Sequence, residues 1–434
     1  MLDGIEKQFI ITVPIAEKTP AGWEFSWCSG QEEIVKVSAA NIHANGKGIE
    51  ALITVWPDYM QDPLVVNQLV NINSYRSKKE IVDAIKAQCI PSQVNWASLL
   101  EQCYYQLTVR INSPLIVSDL NTEPISMGVN YVLHPLLPFG HPTTLYCPGG
   151  SGKSITSDFL GFIIQNGIAV PSLNFYPLKQ NVLYLDWEAD EETHKRYIKA
   201  IKAGLGIDAA EKFSYIKLER PLHSEVANII EVVKTNEIGF IIIDSQMAAT
   251  AEGDKYMSES QVASQYYNDI RSFNCSTLTL DHVTKEAMKF DDNSGTAYGS
   301  VVKYNRVRCQ WEMKKTQEED GSYIELALSN KKFNLGRLHK PIGIRINFEN
   351  DSDVLVNVTF EPCDLAENPV LSKTLPVKTR LINSLRKIKR ADVTTLAEYI
   401  DAKESTVRTE LSRSKNYFVE LSNKEWGLKN KFDI

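Results

Sequence analysis

Leu145-Tyr146-Cys147-Pro148-Gly149-Gly150-Ser151-Gly152-Lys153-Ser154-Ile155 is the stretch that decides the fold. Leu145 and Tyr146 read as the end of a strand, and residues 155–164, Ile-Thr-Ser-Asp-Phe-Leu-Gly-Phe-Ile-Ile, as a helix. A glycine-rich turn between strand and helix aims backbone N–H groups inward and sets a helix N-terminus against an anion. Lys153 would reach the β- and γ-phosphates of a nucleotide, and the Ser154 hydroxyl would ligate Mg²⁺. The pattern asks for glycine where Cys147 stands, but the Gly-Lys-Ser end is intact. Pro148, Gly149, Gly150, Ser151, Gly152, Lys153, Ser154 and Ile155 are therefore the expected nucleotide-binding residues, with ATP and Mg²⁺ as the ligands implied.

Hydrolysis needs a carboxylate near the metal and a group to orient or deprotonate the attacking water. Ninety-one residues beyond Lys153, the apolar run Phe240-Ile241-Ile242-Ile243 ends in Asp244-Ser245. An acid at the C-terminal end of a buried strand lies in the crevice where open α/β sheets bind ligands, so Asp244 is the second expected metal-side group beside Ser154. The run Leu185-Asp186-Trp187-Glu188-Ala189-Asp190 offers two candidate bases, Glu188 and Asp186, or a cluster of acids capping a helix. The strand Leu278-Thr279-Leu280-Asp281 brings His282 to the same edge, where it could sense a phosphate or serve as an ordinary strand-end histidine.

Around these motifs the pattern predicts three parts. Residues 1–125 read as an α+β domain, with strand-like runs at 9–13 and 51–56 and helical spacing over 78–88 and 96–106. Residues 126–365 read as an α/β core in which strands alternate with helices, the sign of a mostly parallel sheet. Beyond Arg306 this core holds four strands without helices, expected to extend the sheet antiparallel at one edge. A Pro-containing linker at 367–376 leads to residues 377–434, whose three short helices and small hairpin outline a winged helix.

The chain of 434 residues, 43% hydrophobic and 23% charged, is ordinary for a globular protein of several domains. Its N-terminus lacks the basic and apolar segments of a signal peptide, and no apolar run approaches the ~20 residues of a membrane helix, so a cytoplasmic location is expected. Seven cysteines stand without any Cys-x-x-Cys, against both a zinc site and a disulfide framework. The net charge of −7 is uneven: from Ser372 onward 14 Lys and Arg face 8 Asp and Glu, a surplus of +6 on a body of −13. A basic module on an acidic body suggests a polyanionic partner there, or a solvated charged face.

The series Pro148-Gly149-Gly150-Ser151-Gly152-Lys153-Ser154, Val182 through Glu188, Ile241-Ile242-Ile243-Asp244-Ser245 and Asp281-His282-Val283-Thr284-Lys285 resembles the RecA-fold ATPases of the RepA type, relatives of the ring-forming replicative helicases. The resemblance covers about residues 130–350. It implies that Glu188 is the water-activating base, Asp244 the Mg²⁺-side carboxylate and His282 the γ-phosphate sensor. Gly299-Ser300 resembles the Gly-Ser that follows the sensor loop. The resemblance further implies a hexameric ring with each site shared between subunits. Lys332 and Arg337, in Ser329-Asn330-Lys331-Lys332-Phe333-Asn334-Leu335-Gly336-Arg337, would be the basic fingers supplied in trans, or simply a basic surface hairpin.

In such rings, loops corresponding to residues 247–259 and 284–300 would face single-stranded DNA, with Lys255, Lys285 and Lys289 available to phosphates. Glu252, Asp254, Asp291 and Asp292 interrupt that basic track. In the winged-helix outline, residues 405–413 would form the recognition helix, with Arg408, Arg413 and Lys415 toward duplex DNA or, alternatively, a protein partner. The expectation is a Mg²⁺-dependent ATPase acting on DNA, as a helicase or translocase in replication. The alternative is an ATP-switched DNA-binding assembly protein (loader, partition or defence ATPase) that does not unwind.

Overall fold

The computed structural model describes residues 13–19, 21–29, 32–45, 48–57, 60–88, 94–111, 128–250, 257–282, 301–317 and 321–429. Two compact units divide the chain, one of residues 1–125 with 226–231 and one of the remainder. Residues 9–12 of the first expected strand lie outside the described segments, as do Lys255, Lys285, Lys289, Gly299 and Ser300.

The N-terminal unit is an antiparallel meander of β1 (Ile15–Thr19), β2 (Gly22–Ser29), β3 (Glu32–Asn45), β4 (Gly48–Pro57) and β5 (Val65–Asn71), in that spatial order. It is followed by α1 (Tyr75–Lys86) and α2 (Trp96–Ile111). Alternation decides its core: Ala51, Ile53 and Val55 of β4 are buried while Glu50 and Leu52 are only partly covered. Helix α2 contributes Leu100, Tyr104 and Leu107 to the same cluster, one helical stripe against one sheet face.

The larger unit begins with the hairpin β6 (Tyr131–Leu133) and β7 (Leu137–Pro138). Then come β8 (Pro142–Cys147), α3 (Lys153–Asn166), β9 (Asn181–Asp186), α4 (Glu191–Gly204), β10 (Ser214–Lys217), α5 (Leu222–Thr235), β11 (Ile238–Asp244), α6 (Gln246–Ala249), α7 (Glu259–Ser272) and β12 (Ser276–His282). The chain continues through α8 (Val301–Arg306), β13 (Cys309–Gln317), β14 (Tyr323–Phe333), β15 (Ile342–Asp351) and β16 (Val354–Pro362). One nine-stranded sheet results, in the order β10-β9-β11-β12-β8-β13-β14-β15-β16. Phe240 through Ile243 are fully buried on both faces, which is why β11 reads as an unbroken apolar run.

The sheet corrects the expected antiparallel tail in one respect. β13 follows α8 and pairs parallel with β8; only β14, β15 and β16 run antiparallel. The strand bearing the phosphate loop therefore has parallel neighbours on both sides. The antiparallel edge folds back onto the helices: Phe360 of β16 stacks on Phe159 of α3 at 3.8 Å. A side chain on Gly204 would meet the Val358 carbonyl at 1.9 Å, so α4 can approach β16 this closely only with glycine there.

Residues 367–376 are not a free linker. Leu371 is fully buried in a cluster with Ala327 and Leu365, a contact invisible to a reading based on proline and polarity. Asn368 Nδ2 donates to Thr316 Oγ1 (2.8 Å) and Glu325 Oε2 (2.7 Å), while its Oδ1 accepts from the N–H groups of Val370 and Leu371. Lys373 pairs with Asp401 at 2.5 Å. The C-terminal part then forms α9 (Val377–Ile388), β17 (Arg390–Ala391), α10 (Val393–Tyr399), α11 (Glu404–Arg413), β18 (Phe418–Glu420) and β19 (Trp426–Leu428). The expected hairpin is a three-stranded sheet, β17-β19-β18, because two residues after α9 pair with β19. A strand of two residues carries no periodic signal.

Among the described residues no helix is long and apolar enough to cross a membrane. Six described cysteines, Cys28, Cys103, Cys147, Cys275, Cys309 and Cys363, are free.

Candidate nucleotide-hydrolysis site

Register brings the site together. Asp244 at the end of β11 lies level with Asp186 on β9, and His282 at the end of β12 lies level with Cys147 on β8. Four strand ends thus lie side by side at one sheet edge. In the loop after β8, Gly150 and Gly152 adopt φ of +69° and +83°. Gly152, in this left-handed conformation, ends the turn and starts α3, whose first residue is Lys153. Side chains built at Gly149 or Gly150 would meet nothing within 4 Å, so the loop is open where a phosphate chain would lie. Ser151 Oγ donates to the Pro148 carbonyl (2.8 Å), closing the turn from within.

Ser154 Oγ donates to Asp244 Oδ2 at 3.0 Å, and Tyr184 OH donates to the same oxygen at 3.1 Å. The other oxygen, Oδ1, is buried without a partner. Burial, reinforced by the Glu188 charge nearby, pushes the Asp244 carboxyl above its ordinary value. A buried carboxylate with one bare oxygen beside a serine hydroxyl is a hard-oxygen pair suited to Mg²⁺. The residues present fit the metal and the phosphate.

Lys153 is 7% exposed; its Nζ donates to His282 Nδ1 at 3.2 Å and lies 3.5 Å from the Cys147 carbonyl. An ammonium only donates, so Nδ1 accepts and Nε2 carries the proton facing Glu188 Oε1 at 3.0 Å. Ser245 Oγ donates to the same Glu188 oxygen, and the Asp244–Ser245 peptide bond is cis. Glu188 itself is partly exposed at the crevice. Its rival Asp186 is fully buried and fully engaged: Oδ1 accepts from the N–H groups of Glu188 (2.8 Å) and Ala189 (3.0 Å), and Oδ2 from Tyr215 OH (2.8 Å). A carboxylate so placed caps a turn and, being fully buried, is closed to an attacking water. Cys147 is buried, and burial pushes its thiol up to about 11, so it lines the strand as a protonated, inert side chain.

Sequence reasoning missed Lys315. Glu312 of β13 lies level with Tyr146, which carries Lys315 past the end of β8 so that its Nζ donates to the Gly150 carbonyl at 2.7 Å. Nothing local marks it, because it reaches the loop only through sheet register. The expected fingers lie elsewhere. Lys332 is level with Gln310, itself level with Thr144, so it sits toward the opposite end of the strands from the phosphate loop. Its side chain is buried in its own chain, with Nζ donating to the Tyr304 carbonyl and lying over the Tyr304 ring. That corrects the picture of two free cations: of the pair, only Arg337 is exposed. On α11, Val407 and Leu411 are buried one turn apart, leaving Arg408 and Arg413 exposed, with Arg408 bonded to Glu404 at 2.9 Å; Lys415, just beyond the helix, is also exposed.

Residues 110–288 match the family model described as an AAA domain. The matched stretch carries the glycine loop, Glu188, Asp244 and His282, so this part of the chain is similar to AAA domains. Among solved structures the chain is similar to a KaiC-like protein from the hyperthermophilic archaeon Pyrococcus horikoshii OT3, at 11% identity and a TM-score of 0.36. That likeness covers 53% of this chain and 94% of that one. No curated protein matches the chain.

The wall of this candidate site contains a buried histidine whose protonation bears on stability. Burial alone would lower His194, but Asp158 and Asp186 hold it protonated and raise it from 6.5 to about 10. A folded-state value above the unfolded one contributes stability that is complete below pH 6.5 and is lost as pH rises toward 10. Thermal melting scanned from pH 6 to 10 is expected to show this decline in the wild type and a flatter profile in His194→Gln; parallel profiles would contradict it.

Proposed function

We propose that the chain is a Mg²⁺-dependent ATPase acting on DNA, built as a RepA-like helicase or translocase ring. The observation that carries the reading is the Lys153–His282–Glu188–Ser245 chain lying beside the Ser154–Asp244 pair. Ser154 and Asp244 would hold Mg²⁺, which when bound offsets phosphate charge. The backbone of residues 149–153 and Lys153 would bind and orient the phosphates. Glu188 would accept a proton from water, its orientation held by Ser245 and by the His282 Nε2–H. His282, bonded to both Lys153 and Glu188, links phosphate contact to the base.

The DNA part of the reading is supported by the C-terminal order helix, strand, helix, helix, strand, strand, as expected of a winged helix, with Arg408, Arg413 and Lys415 exposed on a segment of net positive charge. The exposed Arg337 would serve a neighbour's site in the ring.

Mass photometry and ATP turnover, each with and without ATP and single-stranded DNA, test this on the wild type and Glu188→Gln. The ring reading expects nucleotide-dependent hexamers, DNA-stimulated turnover and strand displacement. A monomer under every condition overturns the ring. ATP-dependent assembly on DNA with slow hydrolysis and no displacement assigns the chain instead to the switch-type DNA-binding ATPases.

A further inference from the structure

His194 of α4 is 5% exposed and stands between two fully buried carboxylates. Its Nδ1 lies 2.9 Å from both oxygens of Asp158 on α3, and its Nε2 lies 3.5 Å from Asp186 Oδ2 at the end of β9. The second contact is an ion pair rather than a well-formed hydrogen bond. Tyr184 and Tyr215 flank the ring, with centroids at 4.4 Å and 5.4 Å. The imidazole therefore joins the helix that begins with Lys153 to the strand that ends before Glu188.

What Asp186 does with its remaining lone pairs makes this contact consequential. Its Oδ1 caps the turn of residues 187–189 by accepting both the Glu188 and the Ala189 N–H. Trp187 N–H donates to the Asp244 carbonyl at 2.7 Å, fixing the turn's other side. Rotation of the Asp186 carboxylate would shift the backbone that carries Glu188, and a displacement on the order of 1 Å at a reacting group can cost about 100-fold in rate.

We propose that His194 is a positioning residue for hydrolysis: by pairing with Asp186 it fixes the carboxylate that caps the Glu188 turn, and so sets where the Glu188 side chain meets the attacking water. The proposal rests on the ATPase reading of the site. Had His194 only to tie α3 to α4, its contact with Asp158 would suffice.

Two substitutions separate these roles, because an Asn amide nitrogen takes the place of Nδ1 and a Gln amide nitrogen that of Nε2. His194→Asn keeps a donor toward Asp158 and loses the one toward Asp186; His194→Gln does the reverse. Both remove the charge, and His194→Gln, which gives up the 2.9 Å contacts with Asp158, should lower the melting temperature at least as far as His194→Asn. His194→Asn is expected to lower kcat about 10-fold with KM for ATP unchanged, and His194→Gln less than about 3-fold. In the Glu188→Gln background, adding His194→Asn should cost nothing further, since the group being positioned is gone. Equal kcat losses in the two variants, losses that follow melting temperature, or a fully additive loss in the double variant would overturn the proposal. A wild type without ATP turnover would instead overturn the ATPase reading beneath it.

Discussion

Lys153→Ala is expected to reduce ATP turnover by about 1000-fold or more, into the background of the assay. Lys153 begins α3, is 7% exposed and sits with its ammonium at the mouth of the open glycine loop. No other described side chain from α3 brings a cation there. Lys315 touches the loop at the Gly150 carbonyl but approaches from β13, on the strand beyond β8, and so is expected to leave most of the loss uncompensated. Nucleotide affinity should fall with turnover, because the same cation faces the ground-state phosphates; a fluorescent ATP analogue read by anisotropy checks this. Unchanged turnover in a folded Lys153→Ala protein would end the assignment of the loop.

Glu188→Gln should separate binding from chemistry. General bases contribute about 100- to 10,000-fold, and the amide cannot take a proton from water. Turnover is expected to drop by about that range while the analogue binds as tightly as to the wild type. The amide oxygen can still accept from Ser245 Oγ and from the His282 ring, so the loop geometry is retained. Asp186→Asn gives the contrast: an amide keeping its oxygen at the capped Glu188 and Ala189 N–H groups loses the acceptor for Tyr215 OH and the charge facing His194, and melting temperature should fall along with turnover. A Glu188→Gln variant with wild-type kcat would transfer the base role to another group and remove the main support for the proposed mechanism.

The central fold and the phosphate-side residues were legible in the sequence because they depend on local pattern. A strand, a glycine turn and a helix in succession place Lys153 and Ser154 wherever they occur, and a buried apolar run ending in Asp244 has few other readings. The residues alone left Glu188 and Asp186 as rivals and the resemblance favoured Glu188; three dimensions add that Asp186 is buried and accepts from backbone N–H groups. His194 and Asp158 left no trace in the sequence, for a histidine on an amphipathic helix and an aspartate in a phosphate-loop helix look like surface residues until α3, α4 and β9 are packed together. Lys315 was hidden for a related reason: register across nonadjacent segments, not spacing, brings it to Gly150. The docked segment around Leu371 was misread because prolines and polar residues describe how a chain turns, and say nothing of what it turns onto.

Successive side chains of a strand leave by opposite faces. Near the end of β13, Lys315 holds the carbonyl of Gly150 while its neighbour Thr316 holds Asn368, from which the segment bearing Lys373 and its Asp401 partner departs. One strand end thus serves two neighbours through adjacent residues: one side chain braces the glycine loop and the next anchors the root of the C-terminal segment.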